Sequence, residues 1–389
     1  MTTKQVRLFI STGEVSGDLQ GSLLIKALHT QAQQHDIDLE ILALGGDRMA
    51  QAGATLLGNT SAVGSIGILE SLPYIIPTFK LQQQAKRYLK QHPPDLVVLI
   101  DYMGPNLGIG AYIRRYLPNV PIVYYIAPQE WVWSFNASNT QQIVNIVDRL
   151  LAIFPEEARY YEKQGISVSY VGHPLIDRMQ TAPTREQARQ TLGIPPDQTA
   201  IALIPASRWQ ELKYLLPVIF EAAQQIQTKL PQAHFWIPLS LEVYRPVLEQ
   251  AIQQYGLRAT LIANNTQAVI AAADLAIAKS GTVNLETALA KVPQVVLYRV
   301  NPITAWIAKH VLKFSIPFMS PPNLVLMDSI VPEFLQEQAT AENLAQTAID
   351  LLLNSSRRQI MLDGYQRMEK ALGEPGICDR AAQAILNLL

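Results

Sequence analysis

A turn of small residues late in the sequence is suited to bind phosphate. Ser280, Gly281 and Thr282 follow the apolar run Ala271–Ala278 and precede a helical pattern that contains Glu286. At the start of a helix the backbone N–H groups lack partners within the helix, and the helix dipole favours anions. The pattern therefore predicts a site for the phosphates of a nucleotide sugar, with Glu286 placed to bind a ribose hydroxyl.

Arg208 is a second candidate phosphate ligand in the same half of the chain. It follows the apolar run Ala200–Ile204, so it belongs to the turn after the first strand of that half. A guanidinium group matches the geometry of phosphate oxygens and keeps its charge. We expect Arg208 to hold a diphosphate with the Ser280 turn; the alternative is a surface arginine paired with Glu211.

Three carboxylates in the first half are candidates for proton transfer. Glu14 and Asp18 lie in the turn after the first strand, together with Ser16 and Gly17. We expect Ser16 and Gly17 to contact the acceptor, the substrate that receives the sugar. Asp101 directly follows a strongly apolar strand, where a carboxylate is partly desolvated and still faces a ligand. We expect Asp101 to be the catalytic base, with Glu14 and Asp18 as alternatives. Helix capping is the other role open to Asp18 and Asp101.

An apolar segment followed by basic residues indicates contact with lipid. Apolar side chains crowd residues 66–79, and lysines and an arginine occur between residues 80 and 90. Apolar anchors beside cations suit a membrane surface or acyl chains, although ordinary helix packing gives the same pattern. The residues that we expect to contact lipid are Ile68, Leu69, Leu72, Ile75, Ile76 and Phe79.

The composition argues against several other classes of protein. The formal net charge is −1, so no basic field points to nucleic acid. The six histidines lack metal-binding spacing and the single cysteine excludes an internal disulfide, so we predict no metal and a reducing cytosol. No apolar run reaches the roughly 18–20 residues that a membrane span needs.

Short apolar runs alternate with helical patterns along the chain, and the alternation restarts near residue 200. Such strands are typical of parallel sheets covered on both faces, with ligands at their carboxyl ends. We predict an α/β protein of two Rossmann-like doubly wound domains facing a cleft, residues 1–178 and 179–389, with the last helix packing on the first domain. The predicted strands are Val6–Ile10, Leu39–Leu44, Leu96–Ile100, Ile122–Ile126, Arg149–Phe154, Val168–Val171, Ala200–Ile204, His234–Pro238, Asp274–Ala278 and Gln294–Tyr298.

Motifs spread in order along nearly the whole chain point to one family. They include Gly13–Asp18, Gly45–Met49, Ala127–Trp133, Tyr170–Leu175, Ser280–Glu286, Pro322–Leu324 and Val331–Gln336. Together they resemble the motifs of the lipid-A-disaccharide synthase family, inverting glycosyltransferases of family 19 with the GT-B architecture.

The resemblance implies a reaction and its setting. A 2,3-diacylglucosamine unit would pass from UDP to 2,3-diacylglucosamine 1-phosphate, giving a β-(1→6)-linked disaccharide and UDP. The UDP sugar is a substrate, so no cofactor is implied, and the family acts at the inner face of the cytoplasmic membrane. The resemblance also implies that Asn323, Glu333 and Gln336 orient the donor, and we further expect a homodimer.

Two alternatives stay open from the sequence. After Trp133, where the family carries basic residues, residues 134–140 are neutral, which favours a transferase of the same fold with a different acceptor. The other alternative is a relative that binds a UDP sugar without catalysis.

Overall fold

The chain divides into two compact α/β units. A computed structural model describes residues 4–13, 15–60, 72–132, 137–205, 209–301 and 317–389. Unit 1 comprises Met1–Asp177 and Leu372–Leu389, and unit 2 comprises Arg178–Ala371. The first segment of unit 1 ends at Asp177, next to the boundary predicted at residue 178. Unit 2 is inserted between the two segments of unit 1.

Unit 1 is built on a seven-stranded sheet in which the paired strands are all parallel. The strand order is β3-β2-β1-β4-β5-β6-β7. All five residues of β4 are buried, as expected for an apolar strand covered by helices on both faces. The strands are β1 (Lys4–Ser11), β2 (Ile37–Gly45), β3 (Thr55–Asn59), β4 (Leu96–Ile100), β5 (Ile122–Tyr125), β6 (Arg149–Ala152) and β7 (Ser167–Tyr170).

Helices cover this sheet and enclose a core that includes Phe9, Leu99, Tyr124 and Tyr161. The helices from the first part of the chain are α1 (Val15–Gln34), α2 (Asp47–Gln51), α3 (Leu72–Gln91), α4 (Met103–Tyr116), α5 (Ala137–Ile146), α6 (Pro155–Lys163) and α7 (Leu175–Met179).

The last helix of the chain, Ile377–Leu386, also belongs to unit 1, where it packs against α1. The carboxylate of Asp177 accepts hydrogen bonds from the backbone N–H groups of Gly376 at 2.7 Å, Ile377 at 3.1 Å and Cys378 at 2.8 Å. Asp177 therefore satisfies N–H groups that the first turn of this helix cannot satisfy itself.

Unit 2 is built on a six-stranded sheet, again with parallel pairing, in the order β10-β9-β8-β11-β12-β13. Its core is rich in alanine: Ala202, Ala272 and Ala276 are fully buried, and their short side chains let helices pack close to the sheet. The strands are β8 (Thr199–Ile204), β9 (Ala233–Leu239), β10 (Ala259–Ala263), β11 (Leu275–Lys279), β12 (Gln294–Tyr298) and β13 (Glu333–Leu335).

The helices of unit 2 alternate with these strands. Those that the structure describes are α8 (Arg185–Leu192), α9 (Trp209–Lys229), α10 (Arg245–Gln254), α11 (Thr266–Ala272) and α12 (Val283–Leu289), followed by Pro321–Leu326, Ala341–Leu353 and Ser355–Leu372. The predicted fold class is confirmed, and every predicted strand is present. Among the strands that the structure describes, three were not predicted: β3, β10 and β13.

Candidate active site

The strand order of unit 1 reverses between β1 and β4, and the predicted catalytic residues follow these two strands. In doubly wound sheets such a reversal leaves a crevice at the carboxyl ends of the strands, where ligands bind. Asp101 comes directly after β4 and is half-buried. Glu14, in the loop after β1, lies outside the described residues.

Asn106 joins the ends of these two strands. Its side chain is fully buried, and its amide nitrogen donates to the carbonyl oxygens of Asp101 at 2.7 Å and Ile100 at 3.0 Å. The hydroxyl of Ser11, the last residue of β1, donates to Asn106 Oδ1 at 2.7 Å, and the Ser11 carbonyl lies 3.3 Å from Asn106 Nδ2. Asn106 is a residue that the sequence did not single out, since nothing in the sequence shows where its amide points.

The backbone at Asp101 is held in an uncommon conformation. Asp101 and Tyr102 both have a φ of 48°, and Ile126 in the neighbouring loop has a φ of 58°. The left-handed region costs L-residues about 1–2 kcal/mol each. The Asp101 N–H donates to the Ile126 carbonyl at 3.0 Å, and the Tyr124 hydroxyl donates to the Asp101 carbonyl at 2.7 Å. Tight packing and these bonds maintain the strain, as is typical of functional sites.

Tyr102 lies over the glycine that opens the first loop. A Cβ atom on Gly13 would lie 1.9 Å from the Tyr102 ring, so only glycine fits there. Gly17 has a similar reason to be glycine, since its Cβ atom would lie 1.8 Å from Oγ1 of Thr12. Of the two residues expected to contact the acceptor, Ser16 is exposed and Gly17 is buried.

Asp18 supports a loop, which is the capping role that the sequence left open; its alternative role in proton transfer stays a prediction. Its side chain is 4% exposed, and its carboxylate accepts from the N–H groups of Gly46 at 2.8 Å, Arg48 at 3.2 Å and Met49 at 3.1 Å. Both carboxylate oxygens thus cap α2 and bind the loop after β2. The structure therefore favours the capping role over proton transfer for Asp18.

The strand order of unit 2 reverses between β8 and β11, and the predicted phosphate turn follows β11. The Ser280 hydroxyl donates to the Met319 carbonyl at 2.7 Å, and the Ser280 N–H donates to the Leu297 carbonyl at 2.9 Å. Arg208, which follows β8, lies outside the described residues.

The turn offers fewer N–H groups than the sequence suggested. The Gly281 N–H donates to Oδ1 of Asn284 at 2.8 Å, and Asn284 is itself fully buried in α12. Within the described part of the chain, only Thr282 and Val283 of this turn keep backbone N–H groups without a hydrogen bond. The Gly281 N–H is therefore held within the turn, and the contact of Gly281 with the donor stays a prediction.

Lys279 places a cation beside the turn, which sequence reasoning missed. It ends β11, and a Cβ atom on Gly281 would lie 3.9 Å from Lys279 Cε and 4.0 Å from its Nζ. The signal was present in the sequence as a lysine that interrupts an apolar strand at its carboxyl end.

Glu286 lies in the first turn of α12 and forms an ion pair with Arg178 at 2.9 Å. Burial raises the pKa of Glu286, while the Arg178 charge opposes that rise. The side chain of Glu286 is 12% exposed. The ion pair orients this carboxylate, and its predicted contact with a ribose stays a prediction.

Asn323 supports a loop, and its proposed contact with the donor stays a prediction. Its Oδ1 accepts from the N–H groups of Ile330 and Val331, both at 2.9 Å. Its Nδ2 donates to the Val331 carbonyl at 3.0 Å and to Glu333 Oε2 at 3.2 Å. The side chain is fully buried, and its amide group makes its hydrogen bonds inside the protein.

Glu333 begins β13, the edge strand of the unit 2 sheet, and Gln336 directly follows that strand. The Glu333 carboxylate accepts from the N–H groups of Met319 at 3.0 Å and Ser320 at 2.8 Å, which ties it to the segment that holds Ser280. Gln336 is half-buried with a φ of 49°, and the Val300 N–H lies 3.5 Å from its Oε1. Their contact with a donor stays a prediction.

The predicted lipid contacts fall on or near α3. Ile68 and Leu69 lie outside the described residues; Leu72, Ile75 and Ile76 belong to α3, but their side chains are not described. Phe79 is 58% exposed on this helix. Two turns or more beyond it, Lys86 lies over the Tyr112 ring at 5.8 Å and Lys90 over the Tyr116 ring at 5.0 Å.

A family model described as lipid-A-disaccharide synthetase matches residues 8–388. The chain belongs to the lipid-A-disaccharide synthetase family. The enzyme called lipid-A-disaccharide synthase in Gloeothece citriformis is 62% identical over 382 residues, which cover 98% of this chain and 100% of that one. The enzyme of the same name in Synechocystis sp. is 57% identical and covers 98% of each chain. This member of the synthetase family is a glycosyltransferase of lipid A biosynthesis, as the sequence motifs implied.

Solved structures share the fold of this synthetase-family chain. The S. aureus MnaA–UDP co-structure has a TM-score of 0.65 at 15% identity, covering 99% of this chain and 98% of that one. The glycotransferase of kitacinnamycin has a TM-score of 0.62 at 15% identity, covering 99% of both chains. At this identity the likeness shows the fold alone, and it agrees with the predicted GT-B class.

Two further observations bear on the setting of the synthetase-family site. In the ranges that the structure describes, no three His, Cys, Asp or Glu side chains are grouped so that they could hold a metal ion. Within the same ranges, no helix combines the length and apolar character that a membrane crossing requires.

Proposed function

We propose that this chain transfers 2,3-diacylglucosamine from UDP to the primary hydroxyl of 2,3-diacylglucosamine 1-phosphate, forming the β-(1→6)-linked disaccharide 1-phosphate and UDP. Membership of the lipid-A-disaccharide synthetase family supports a disaccharide of lipid A as the product. The observation that carries the mechanism is the position of Asp101, held in a strained conformation at the strand reversal of unit 1.

The proposed reaction is a direct displacement with inversion. Asp101 accepts the proton of the acceptor hydroxyl while that oxygen bonds to C1 of the donor sugar. The bond between C1 and the phosphate oxygen breaks on the opposite face, and its electron pair leaves with UDP. Positioning of the hydroxyl and stabilisation of the departing charge supply most of the rate.

The donor would bind at the strand reversal of unit 2. The N–H groups of Thr282 and Val283 and the cation of Lys279 all lie at this turn, which suits a diphosphate. Arg208 would supply a further charge from the loop after β8, and Glu286 would bind the ribose. The S. aureus structure of the same fold is named as a complex with UDP, which supports a UDP sugar as donor.

We further propose that the acylated substrates are met at the inner face of the cytoplasmic membrane, and that UDP release needs no metal or other cofactor. The exposed ring of Phe79 and the cations of α3 support the membrane contact, since apolar anchors flanked by basic residues bind lipid surfaces.

Asp101→Ala is the direct test. Loss of a general base lowers turnover by about 10²–10⁴-fold, because acid–base catalysis contributes that much. The donor and the phosphorylated acceptor are incubated with the enzyme, and the disaccharide is quantified by mass spectrometry. UDP affinity, measured by calorimetry, should stay within about twofold of wild type, since Asp101 is proposed to act on the acceptor hydroxyl and not to bind the nucleotide. Asp363→Ala, an exposed aspartate on the helix Ser355–Leu372, is the matched control.

Each alternative has its own result in this assay. Near-normal turnover by Asp101→Ala removes Asp101 from the role of base. Transfer by the wild type to an unphosphorylated acceptor, but not to the 1-phosphate, supports a different acceptor. UDP binding without hydrolysis or transfer supports the inactive relative.

A further inference from the structure

We infer that Asn106 is a positioning residue whose amide fixes the direction in which Asp101 presents its carboxylate. This inference rests on the proposed role of Asp101 as base. Asn106 is fully buried, so its position excludes direct contact with a substrate, and any effect on the reaction passes through the residues that it holds.

Both peptide groups that flank the Asp101 side chain are held by hydrogen bonds. On one side, the Asp101 N–H donates to the Ile126 carbonyl at 3.0 Å. On the other, the Asp101 carbonyl accepts from Asn106 Nδ2 and from the Tyr124 hydroxyl, each at 2.7 Å. Fixed peptide planes on both sides fix φ and ψ, and these set the direction of the Cα–Cβ bond.

The hydrogen bonds of Asn106 oppose a relaxation that the chain favours. With a φ of 48°, Asp101 lies in a region that L-residues avoid, and a change toward negative φ would turn its side chain away from its present direction. Such a change would also turn the Asp101 carbonyl away from Asn106. The amide therefore holds the strained conformation from within the core, where water cannot compete for its bonds.

Asn106 also ties Asp101 to the neighbouring strand. Ser11 Oγ donates to Asn106 Oδ1 at 2.7 Å, so the amide is itself oriented by β1. The two strands are those between which the sheet order reverses. An asparagine suits this place because one planar group donates to β4 and accepts from β1; an aspartate of the same shape has no N–H groups to donate.

The test compares Asn106→Asp with Asn145→Asp, an exposed asparagine on α5 of the same unit. We expect Asn106→Asp to lower kcat by about 100-fold, the cost of a misplacement of roughly 1 Å in a reacting group. The KM values for both substrates and the affinity for UDP should stay within about twofold of wild type. Asn145→Asp should match the wild type in all of these measurements.

A cycle with Asp101→Asn separates positioning from general support. If Asn106 acts through Asp101, Asn106→Asp should cause no further loss in single turnovers when Asp101 is already Asn. An additive loss, or an unchanged kcat in the single variant, overturns the inference. Near-normal turnover by Asp101→Asn itself would instead refute the proposed base. If Asp101→Asn shows no measurable turnover, the single variant Asn106→Asp decides. A lower kcat with unchanged KM values supports the inference, and raised KM values with an unchanged kcat overturn it.

Milder variants decide the question if Asn106→Asp does not fold. Tyr124→Phe removes the second hydrogen bond to the Asp101 carbonyl, and Ser11→Ala removes the bond that orients the amide. Each should lower kcat by about 5–10-fold, the equivalent of one hydrogen bond, with KM unchanged. Unchanged kcat in both folded variants overturns the inference.

Discussion

Glu157 is a carboxyl group that lies wholly inside unit 1. Its Oε2 atom accepts from the backbone N–H groups of Ile153 at 2.7 Å and Phe154 at 3.1 Å, which caps α6. Burial raises the pKa of Glu157 to about 8, because desolvation penalises the charged form more than these bonds favour it. At neutral pH the folded protein therefore holds this group mainly in its protonated form.

Glu157→Gln should make stability less dependent on pH. The unfolded chain ionises this residue above about pH 4.3, whereas the folded protein keeps the proton until about pH 8. The folded state thus binds more protons between these values, and its stability falls as pH rises. Between pH 5 and 8, the thermal midpoint of wild type should fall more than that of Glu157→Gln, by about 2–4 °C for each kcal/mol of stability that the wild type loses. Differential scanning calorimetry measures both.

Glu162→Gln is the control for this measurement, since Glu162 is exposed on the same helix and its variant should follow the wild type. Identical pH dependence in wild type and Glu157→Gln would contradict a raised pKa at Glu157.

Single residues also show how far the sequence predicts a site. Asp101 could be singled out because a carboxylate directly after an apolar strand is recognised from neighbouring residues alone; its role as base stays a prediction. The surroundings of Asn323 could not be predicted in this way, because its polar character is visible in the sequence while its burial is not. Its partners include Glu333, which lies ten residues away and meets it only in the folded chain. Asn106 was missed for the same reason, since its partner Ser11 lies 95 residues away.

At the scale of elements, the strands that the sequence failed to predict share one position. β3, β10 and β13 each lie at an edge of a sheet. None of the residues of β10 is fully buried, and β13 has only three residues. Edge strands are covered less and are often short, so they lack the continuous apolar run that marks a central strand such as β4.

The cap on the last helix can be tested through the single cysteine. Cys378 is 9% exposed, and burial raises the pKa of its thiol to about 12, so the folded protein should react slowly with a thiol reagent. Asp177→Ala leaves three N–H groups without their acceptor and removes a negative charge next to the thiol. We expect labelling of Cys378 to become at least about tenfold faster, measured by absorbance of the released thiolate.

Asp379→Asn controls for charge alone, because Asp379 neighbours the cysteine on the same helix and is exposed. Its labelling should be close to that of wild type. Equal rates in wild type and Asp177→Ala would show that Asp177 does not hold the helix in place.

At the scale of the whole molecule, net charge gives no reason to bind a membrane. The formal charge is −1, so attraction to anionic lipid must come from local groups such as those on α3. A protein of this charge should therefore bind vesicles through one face and not through its overall field.

The double variant Phe79→Ala/Lys90→Ala should bind vesicles of phosphatidylglycerol about tenfold more weakly than wild type, since one basic residue near such a surface contributes about 1 kcal/mol. Sedimentation with vesicles measures the bound fraction, and added salt should weaken binding of the wild type. Lys291→Ala, an exposed lysine of unit 2, is the control. If the double variant binds as wild type does, this part of α3 is not the contact.

The insertion of unit 2 within unit 1 has a consequence for biosynthesis. The described strands of unit 2 all come from one uninterrupted block, residues 178–371. The sheet of unit 1 leaves the ribosome first, yet α1 meets its partner helix Ile377–Leu386 only when the final residues have emerged. The half of the protein that is made first is therefore completed last. Throughout translation of unit 2, the surface of α1 that packs against this helix stays uncovered, and a chaperone can bind such exposed surface.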